Sequence, residues 1–278
     1  MKDKFDKLRA YYRFKTHFPI GAIILPWVRK RVKKLLKASD VRELVRTEGN
    51  LLIPVRSDES VFRRIQETGS VDPGMEWIIK RYVKQGTVAI DVGANMGFIS
   101  ILMADRIGND GEVYAIEPNI RLHSYIRRLF NINALENLKL FYCACSDKQG
   151  IARFKVDISD HTKSMISDTG ELEINVMPLD SILAENSKTV SFVKIDVEGH
   201  EPNVLVGSKQ TLSIHKPTLV FETGFHSPND IEKINKILED IGYDVIGIIK
   251  NWGIEEKALM MDMTKKTHCN VLALPRKR

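Results

Sequence analysis

The sequence predicts a Rossmann-like α/β protein, in which a mostly parallel sheet carries helices on both faces. Three observations support this prediction. From about residue 75 onward, short Val- and Ile-rich runs alternate with segments of helical periodicity, a pattern typical of parallel sheets. The first of these runs ends in a glycine-rich loop, residues 91–97, that leads directly into a helix. The second run ends in a carboxylate, Glu117.

The predicted elements follow one another through short connections. Predicted strands are Thr87–Asp91, Val113–Glu117, Leu138–Cys145, Val190–Val197, Leu219–Glu222, Val245–Ile249 and Val271–Leu274. Predicted helices are Phe98–Ile107, Leu122–Ala134, Val204–Ile214 and Ile231–Ile241, the last with its isoleucines on one face. Residues 151–180 interrupt the rhythm with two runs of strict apolar–polar alternation, which indicates a hairpin-like insertion. We therefore expect a helical, basic N-terminal extension over residues 1–70 and one α/β domain over residues 71–278.

The charge is concentrated in the N-terminal extension. Residues 1–50 hold 14 Lys and Arg against 5 Asp and Glu, whereas the remainder holds 28 against 31. A basic amphipathic helix with Trp27 as an anchor would suit the surface of an anionic membrane. A solvated helix that packs its apolar stripe on the domain explains the same pattern. A cleaved signal peptide is disfavoured, because Asp3 and Asp6 precede the apolar run and no small-residue cleavage site follows it.

Composition excludes several classes of protein. A hydrophobic fraction of 43% argues against general disorder, and no apolar run approaches the ~20 residues of a membrane-spanning helix. The slightly acidic body disfavours a nucleic-acid partner. Three cysteines, Cys143, Cys145 and Cys269, form no zinc-binding spacing and indicate free thiols in a reducing, cytoplasmic compartment.

The loop Asp91-Val-Gly93-Ala-Asn95-Met-Gly97 is suited to a nucleotide-type ligand. Its glycines let the backbone turn sharply and let a ligand approach closely, and Glu117 can accept the hydroxyls of a ribose. The loop lacks the Gly-x-Gly-x-x-Gly spacing of dinucleotide sites. A carboxylate at Asp91 would repel a pyrophosphate but suits the cationic end of an amino-acid moiety, which favours S-adenosylmethionine as the ligand.

Two further strand ends carry polar residues at the same edge of the sheet. Ser146 and Asp147 follow the third strand, where Asp147 could accept the exocyclic amine of an adenine. The fourth strand ends in Asp196-Val-Glu198-Gly-His200-Glu201. Repulsion among these carboxylates would raise the pKa of at least one of them, as functional sites often require.

Taken together, these segments resemble the FkbM family of S-adenosylmethionine-dependent methyltransferases. The resemblance covers roughly residues 72–223 and is carried in order by VAIDVGANMGFIS, YAIEPN, CSD, FVKIDVEGHEPNVLVGSKQTL and KPTLVFE. It implies a class I methyltransferase fold, with a seven-stranded sheet whose final strand is antiparallel. It also implies O-methylation of sugar or secondary-metabolite hydroxyls, with a glycan or small-molecule acceptor.

The resemblance also implies roles for individual residues. The methionine end of the cofactor would be held by Asp91, Gly93, Ala94, Asn95 and Gly97. Glu117 with Pro118 would hold the ribose, and Ser146 with Asp147 the adenine. Glu76 matches an acidic position that often precedes the first motif and would touch the cofactor. Asp196, which would also touch the cofactor, and the turn Glu198-Gly-His200-Glu201 would face the methyl group and the acceptor.

The sequence leaves the proton acceptor open. Asp196 has the position that the family implies, His200 has the more suitable pKa of ~6.5, Glu198 adjoins both, and His226 is a further option. The carboxylates of Asp196, Glu198 and Glu222 could together bind a metal ion. Their spacing in the sequence does not require one, and we expect no metal. Two alternatives to O-methylation stay open: a non-catalytic binding module with the cofactor fold, and a methyltransferase that acts on RNA or protein.

Overall fold

A computed structural model describes residues 43–56, 59–157, 164–224, 227–251, 253–255 and 269–276. The strands are β1 Glu43–Arg46, β2 Leu52–Val55, β3 Val88–Val92, β4 Glu112–Ile116, β5 Leu138–Phe141, β6 Ala144–Cys145, β7 Gly150–Lys155, β8 Met165–Ile166, β9 Leu172–Met177, β10 Val190–Ile195, β11 Thr218–Thr223, β12 Tyr243–Lys250, β13 Gly253–Glu255 and β14 Cys269–Pro275. The helices are α1 Ser60–Thr68, α2 Pro73–Tyr82, α3 Phe98–Ile107, α4 Ile120–Ile132, α5 Leu179–Ile182, α6 Glu201–Val206, α7 Lys209–His215 and α8 Pro228–Asp240.

The main sheet has the order β13-β12-β14-β11-β10-β3-β4-β5. Strands β11, β10, β3, β4 and β5 pair in parallel, while β14 is antiparallel to both of its neighbours. This arrangement confirms the class I methyltransferase fold that the resemblance implies. The sheet has eight strands within the described residues, one more than expected, because Gly253–Glu255 folds back on the end of β12.

Alternating side chains of the central strands enter two apolar layers. In β3, Val88, Ile90 and Val92 face the layer under α6, α7 and α8. Ala89 faces the opposite layer, beneath α2, α3 and α4. Because both faces are covered, every residue of β3 is buried, as is usual for central parallel strands.

Part of the predicted helical extension is instead a β-hairpin. Strands β1 and β2 pair antiparallel, and the run Leu51-Leu-Ile-Pro-Val55 has the β-branched composition of a strand. Ile53, Val55 and Ile65 of α1 lie in the same apolar layer as α2 and α3. Residues 43–56 and 59–70 therefore pack as part of the α/β domain, while residues 1–42, with the predicted membrane contact, lie outside the described residues.

The insertion forms a second, four-stranded sheet in the order β6-β9-β7-β8. Its antiparallel β7–β9 pair is the predicted hairpin. The expected third strand, Leu138–Cys145, is divided: its first half joins the main sheet as β5 and its last two residues join the insertion sheet as β6. Phe154, Ile174 and Val176 form the small core of this second sheet.

The helix predicted over Val204–Ile214 is also divided, into α6 and α7. The break occurs at Gly207, where an added Cβ would lie 2.0 Å from the carbonyl oxygen of Ser146. This close backbone approach holds the end of β6 beside α6. No helix among the described residues is both long and apolar enough to cross a membrane.

Candidate active site

One row of residues lies at the carboxyl edge of the main sheet. Val92 pairs with Ile116 on one side and with Ile195 on the other, and Ile195 pairs with Phe221. The next residue of each strand lies at the edge; these residues are Glu117, Gly93, Asp196 and Glu222, which we call the edge row. Ligands of open α/β sheets bind at this edge.

The glycine-rich loop crosses the middle of the edge row. Gly93 has φ 78° and Asn95 has φ 50°, both in the left-handed region. A Cβ on Gly93 would lie 1.9 Å from the carbonyl oxygen of Asp196. Only glycine therefore lets the loop pass this close to β10 before α3 begins.

Glu117 is held by the backbone on both sides. Its Oε2 accepts the N–H of Asn95 at 2.8 Å and its Oε1 accepts that of Asn119 at 2.8 Å. Its carbonyl oxygen accepts a hydrogen bond from Nε2 of His123 at 2.6 Å. Burial raises the pKa of Glu117 to about 7, against the effect of the two N–H donors. Each carboxylate oxygen keeps a second lone pair, which can accept a hydroxyl of a ligand.

Two amide groups lie beside Glu117. Oδ1 of Asn95 and Nδ2 of Asn119 are buried and have no hydrogen-bond partner within the described part of the chain. Buried polar atoms normally have partners. Asn95 lines the cavity with Glu117, whereas Asn119 does not. The free acceptor of Asn95 and the carboxylate of Glu117 therefore match hydroxyl or amine groups of S-adenosylmethionine.

A cavity of about 230 Å³ opens along the edge row. The predicted site residues that line it are Gly93, Ala94, Asn95, Glu117, Pro118, Asp196, Glu198 and His200. Its opposite wall comes from the insertion sheet, through Phe154, Met165 and Ile166. Sequence analysis placed the insertion correctly but could not show which of its side chains reach the cavity.

Asp91 is not among the residues that line the cavity. Its side chain is 0% exposed, accepts a hydrogen bond from Oγ of Ser100 at 2.6 Å and lies 3.5 Å from Nζ of Lys194. Asp91 pairs with Lys194 in the sheet register, two residues below the edge row, and we call these two residues the buried pair. Burial raises the pKa of Asp91, although Lys194 opposes this shift.

Glu76 and Gly97 also lie outside the cavity lining. Glu76 borders a separate cavity beside α2, and its Oε1 is 2.6 Å from Nζ of Lys80. Gly97 precedes the first residue of α3 with φ 76° and packs on Ile126. The structure thus gives Gly97 a role in the turn and does not bring Glu76 to the edge row.

Lys194 is a site residue that sequence analysis passed over. Its Nζ lies 3.0 Å from Oδ2 of Asp196. The ammonium group of Lys194 therefore contacts both Asp91 and Asp196 of the edge row. Burial opposes the charge of Lys194, but Asp196 and Asp91 together raise its pKa above the usual range. Lys194 therefore stays protonated and compensates both carboxylates.

Glu201 shapes the turn after β10. It is 1% exposed, and its carboxylate accepts the N–H groups of Val197 at 2.8 Å and Gly199 at 3.0 Å. Burial raises the pKa of Glu201 to about 7. Glu198 has φ 55° in this turn, a conformation that orders its side chain toward the edge row at some conformational cost.

Glu222 completes a group of three carboxylates. Oxygens of Asp196, Glu198 and Glu222 all lie within 4.8 Å of one another, a spacing that a divalent cation could use. Burial, with the charges of Asp196, Glu198 and Glu201, raises the pKa of Glu222 to about 9. Without a cation between them, Glu222 therefore holds a proton at neutral pH.

His200 lies between the edge row and the end of β6. Its Nε2 is 3.0 Å from Oγ of Ser146, and the same hydroxyl donates to Oδ1 of Asp147 at 3.0 Å. Burial lowers the pKa of His200, against the charge of Asp147. Ser146 and Asp147, which the resemblance places at the adenine, are thus hydrogen-bonded to His200, which it places near the acceptor. His226 lies outside the described residues.

Comparison with known proteins gives one family and several structures. The family model "Methyltransferase FkbM domain" matches residues 91–245. No curated protein matches the chain. The structure of methyltransferase FkbM from Methylobacillus flagellatus KT is 18% identical, with a TM-score of 0.45, and the match covers 71% of this chain and 50% of that one.

Two other structures show the same range of similarity. A putative rRNA-methylase from Clostridium thermocellum is 10% identical, with a TM-score of 0.47, and the match covers 73% of this chain and 94% of that one. A putative methyltransferase from Streptococcus mutans, in complex with S-adenosylhomocysteine, is 8% identical, with a TM-score of 0.43. That match covers 72% of this chain and 94% of the other.

Proposed function

The chain belongs to the FkbM methyltransferase family and takes S-adenosylmethionine as its cofactor, and from this premise we propose that it methylates a hydroxyl group of a saccharide or secondary metabolite. One observation carries the proposal: Glu117 and His200 border the same cavity. A group that can hold the ribose and a group that can take a proton thus share one cavity.

Glu117 and Asn95 would hold the cofactor. The carboxylate would accept the ribose hydroxyls, while the unpaired Oδ1 of Asn95, which lines the same cavity, would accept from a further polar group of the ligand. When bound, S-adenosylmethionine supplies a methyl group on a positively charged sulfur. Because this methyl is already activated, holding the acceptor in position supplies much of the rate acceleration.

His200 is the better proton acceptor on this geometry. Asp196 is already paired with the ammonium of Lys194 at 3.0 Å, and an ion-paired carboxylate is a weak base toward an alcohol. Burial lowers the pKa of His200, so its imidazole is neutral at pH 7 and can accept a proton. Asp196 and Lys194 would instead orient the acceptor and balance charge as its oxygen is deprotonated.

The insertion sheet would select the acceptor. Phe154, Met165 and Ile166 give the cavity an apolar wall opposite the edge row. Such a wall favours an acceptor with one apolar face, such as a sugar ring or a polyketide-like metabolite, over a polynucleotide. The charge balance after residue 50, 28 basic against 31 acidic residues, also lacks the surplus that phosphate backbones require.

The proposal is tested with S-adenosylmethionine labelled with ¹³C at the methyl group. The full chain is incubated with panels of glycans, hydroxylated metabolites, RNA and protein, and the products are examined by NMR. A methyl ether signal on a glycan or metabolite, lost in Glu117→Ala, supports the proposal. Glu112→Ala, at the opposite end of β4, is the matched control. Transfer to nitrogen or carbon only, or to RNA or protein only, contradicts it.

A further inference from the structure

A short hydrogen-bonded chain connects Asp147, Ser146 and His200. Oγ of Ser146 lies 3.0 Å from Oδ1 of Asp147 and 3.0 Å from Nε2 of His200. Ser146 is only 6% exposed, and its N–H donates to the carbonyl oxygen of Met177 at 3.1 Å. Gly207 packs closely against its carbonyl oxygen and leaves no room for a side chain there. The hydroxyl therefore has a defined place beside the imidazole.

The number of protons shared by Asp147, Ser146 and His200 determines which atom carries each proton. An ionised carboxylate only accepts hydrogen bonds, so the single hydroxyl proton of Ser146 goes to Asp147. The oxygen of Ser146 can then only accept from His200. Nε2 of His200 must carry a proton, and in the neutral ring Nδ1 then carries the lone pair.

We propose that Ser146 and Asp147 are positioning residues that hold His200 protonated at Nε2, so that Nδ1 is the atom that takes the proton of the acceptor hydroxyl. The inference rests on the proposed function, since it names the basic atom of that site. It gives Ser146 and Asp147 a role in proton transfer besides the adenine contact that the resemblance implies.

The same chain also stabilises the product of the proton transfer. When the acceptor oxygen forms its bond to the methyl carbon, the bond from that carbon to sulfur would break, its electron pair would stay on sulfur, and S-adenosylhomocysteine would be left. The hydroxyl proton would pass to Nδ1, and the ring would become an imidazolium. The Nε2–H group keeps its hydrogen bond to Ser146, and the negative charge of Asp147 partly offsets the lowering of the His200 pKa by burial.

Other charges around His200 also affect its protonation. Lys233 of α8 opposes the effect of Asp147 and lowers the pKa of His200. Nζ of Lys233 is held by Oδ1 of Asn203 at 3.0 Å. Glu198 and Glu201 are the charged neighbours of His200 within its own turn.

The test uses the full chain labelled with ¹⁵N at histidine, and NMR spectra that correlate ring nitrogens with ring protons. His200→Gln identifies the His200 signals. His123 is an internal reference, because its Nε2 must donate to the carbonyl oxygen of Glu117. The wild type should show His200 protonated at Nε2 alone, with a pKa below 6.5.

Ser146→Ala should reduce the proton affinity of His200 about fivefold, because this hydrogen bond is worth about 1 kcal/mol more to the charged ring than to the neutral ring. It should also expose Nε2–H to solvent exchange. Ser146→Thr, which keeps the hydroxyl, should restore both properties. Ser191→Ala is the matched control. Ser191 is also 6% exposed, but its hydroxyl lies 2.7 Å from Oγ1 of Thr87 at the far end of β10.

Three outcomes overturn the inference. One is a wild-type His200 protonated at Nδ1. Another is a His200 spectrum unchanged by Ser146→Ala while the affinity for S-adenosylhomocysteine falls, which would assign Ser146 to the adenine alone. Neither of these affects the proposed function. Failure of the wild type to bind S-adenosylhomocysteine by calorimetry overturns the proposed function and this inference together.

Discussion

Asp91 and Glu117 lie near the carboxyl ends of neighbouring strands and have opposite surroundings. Glu117 borders the cavity and is held by backbone N–H groups. Asp91 is fully buried and held by Ser100 and Lys194. In the sheet register Asp91 pairs with Ala115, so it lies two residues deeper than Glu117.

Two residues of depth therefore separate a carboxylate that borders the cavity from one that is buried. Depth is not the whole reason, because Lys194 lies at the same depth as Asp91 and borders the cavity, whereas the carboxylate of Asp91 is occupied by Ser100 and Lys194. Asp91 contributes to the site through Lys194, whose second contact is Asp196 in the edge row. The following predictions distinguish the buried pair from the edge row.

The largest expected effect on stability is that of Lys194→Met. Removal of the cation leaves Asp91 and Asp196 without their shared partner, and breaking a buried ion pair this way typically costs about 3–5 kcal/mol. Urea denaturation measures the loss in the free energy of unfolding. Lys188→Met is the control, because Lys188 is exposed and contacts Glu112 at 3.4 Å. Equal effects of the two substitutions would contradict the structural role of the buried pair.

A smaller effect is expected for Glu222→Gln, and it depends on pH. Because the folded state raises the pKa of Glu222 to about 9, the wild type is most stable, relative to the variant, below about pH 4.5. This advantage is lost progressively as the pH rises from about 4.5 toward 9. Thermal unfolding of both proteins from pH 5 to pH 9 measures the difference.

Glu112→Gln should show the opposite trend. A hydrogen bond from Lys139 lowers the pKa of Glu112, so its contribution to stability is present at neutral pH and lost on acidification. Added Mg²⁺ tests whether Asp196, Glu198 and Glu222 bind a cation. We expect Mg²⁺ to leave the pH dependence of the wild-type stability unchanged. A trend abolished by Mg²⁺ would show that Asp196, Glu198 and Glu222 hold a cation.

The smallest effect is expected for Glu76→Gln. Glu76 is only 13% exposed, but its partner Lys80 is 64% exposed. Water therefore screens the pair, and the free energy of unfolding should change by less than about 1 kcal/mol. The affinity for S-adenosylhomocysteine, measured by calorimetry, should stay within about twofold of the wild type. A tenfold loss would show that Glu76 reaches the cofactor and that the cavity extends to α2.

The sequence predicts the central strands and the edge they form, because their apolar runs and glycine-rich loop are local signals. It does not predict the depth of Asp91, since depth depends on the register of β3 against β4 and β10. It allows Asp196, Glu198 and Glu222 to be grouped, but it does not predict the register that aligns Glu222 with Asp196, because that contact joins residues of different strands.

Burial and pairing explain the other differences. The hairpin β1–β2 is stable only because it packs on the layer that contains α2 and α3, a tertiary effect that local propensity does not include. The hydrogen bond between Ser146 and His200 spans 54 residues of sequence. It arises where the insertion sheet meets α6.

The comparison between Asp91 and Glu117 is tested most directly by measuring binding and stability on the same two variants. Calorimetry with S-adenosylhomocysteine and urea denaturation are applied to Glu117→Ala and Asp91→Asn. We predict that Glu117→Ala loses at least about tenfold in affinity, as expected for lost hydrogen bonds to a carboxylate. Its stability should fall by no more than about 1–3 kcal/mol, because the N–H groups of Asn95 and Asn119 lose their acceptor. Asp91→Asn should lose about 1–3 kcal/mol of stability and bind normally when folded. The reverse pattern, with binding lost in Asp91→Asn and kept in Glu117→Ala, would contradict the account.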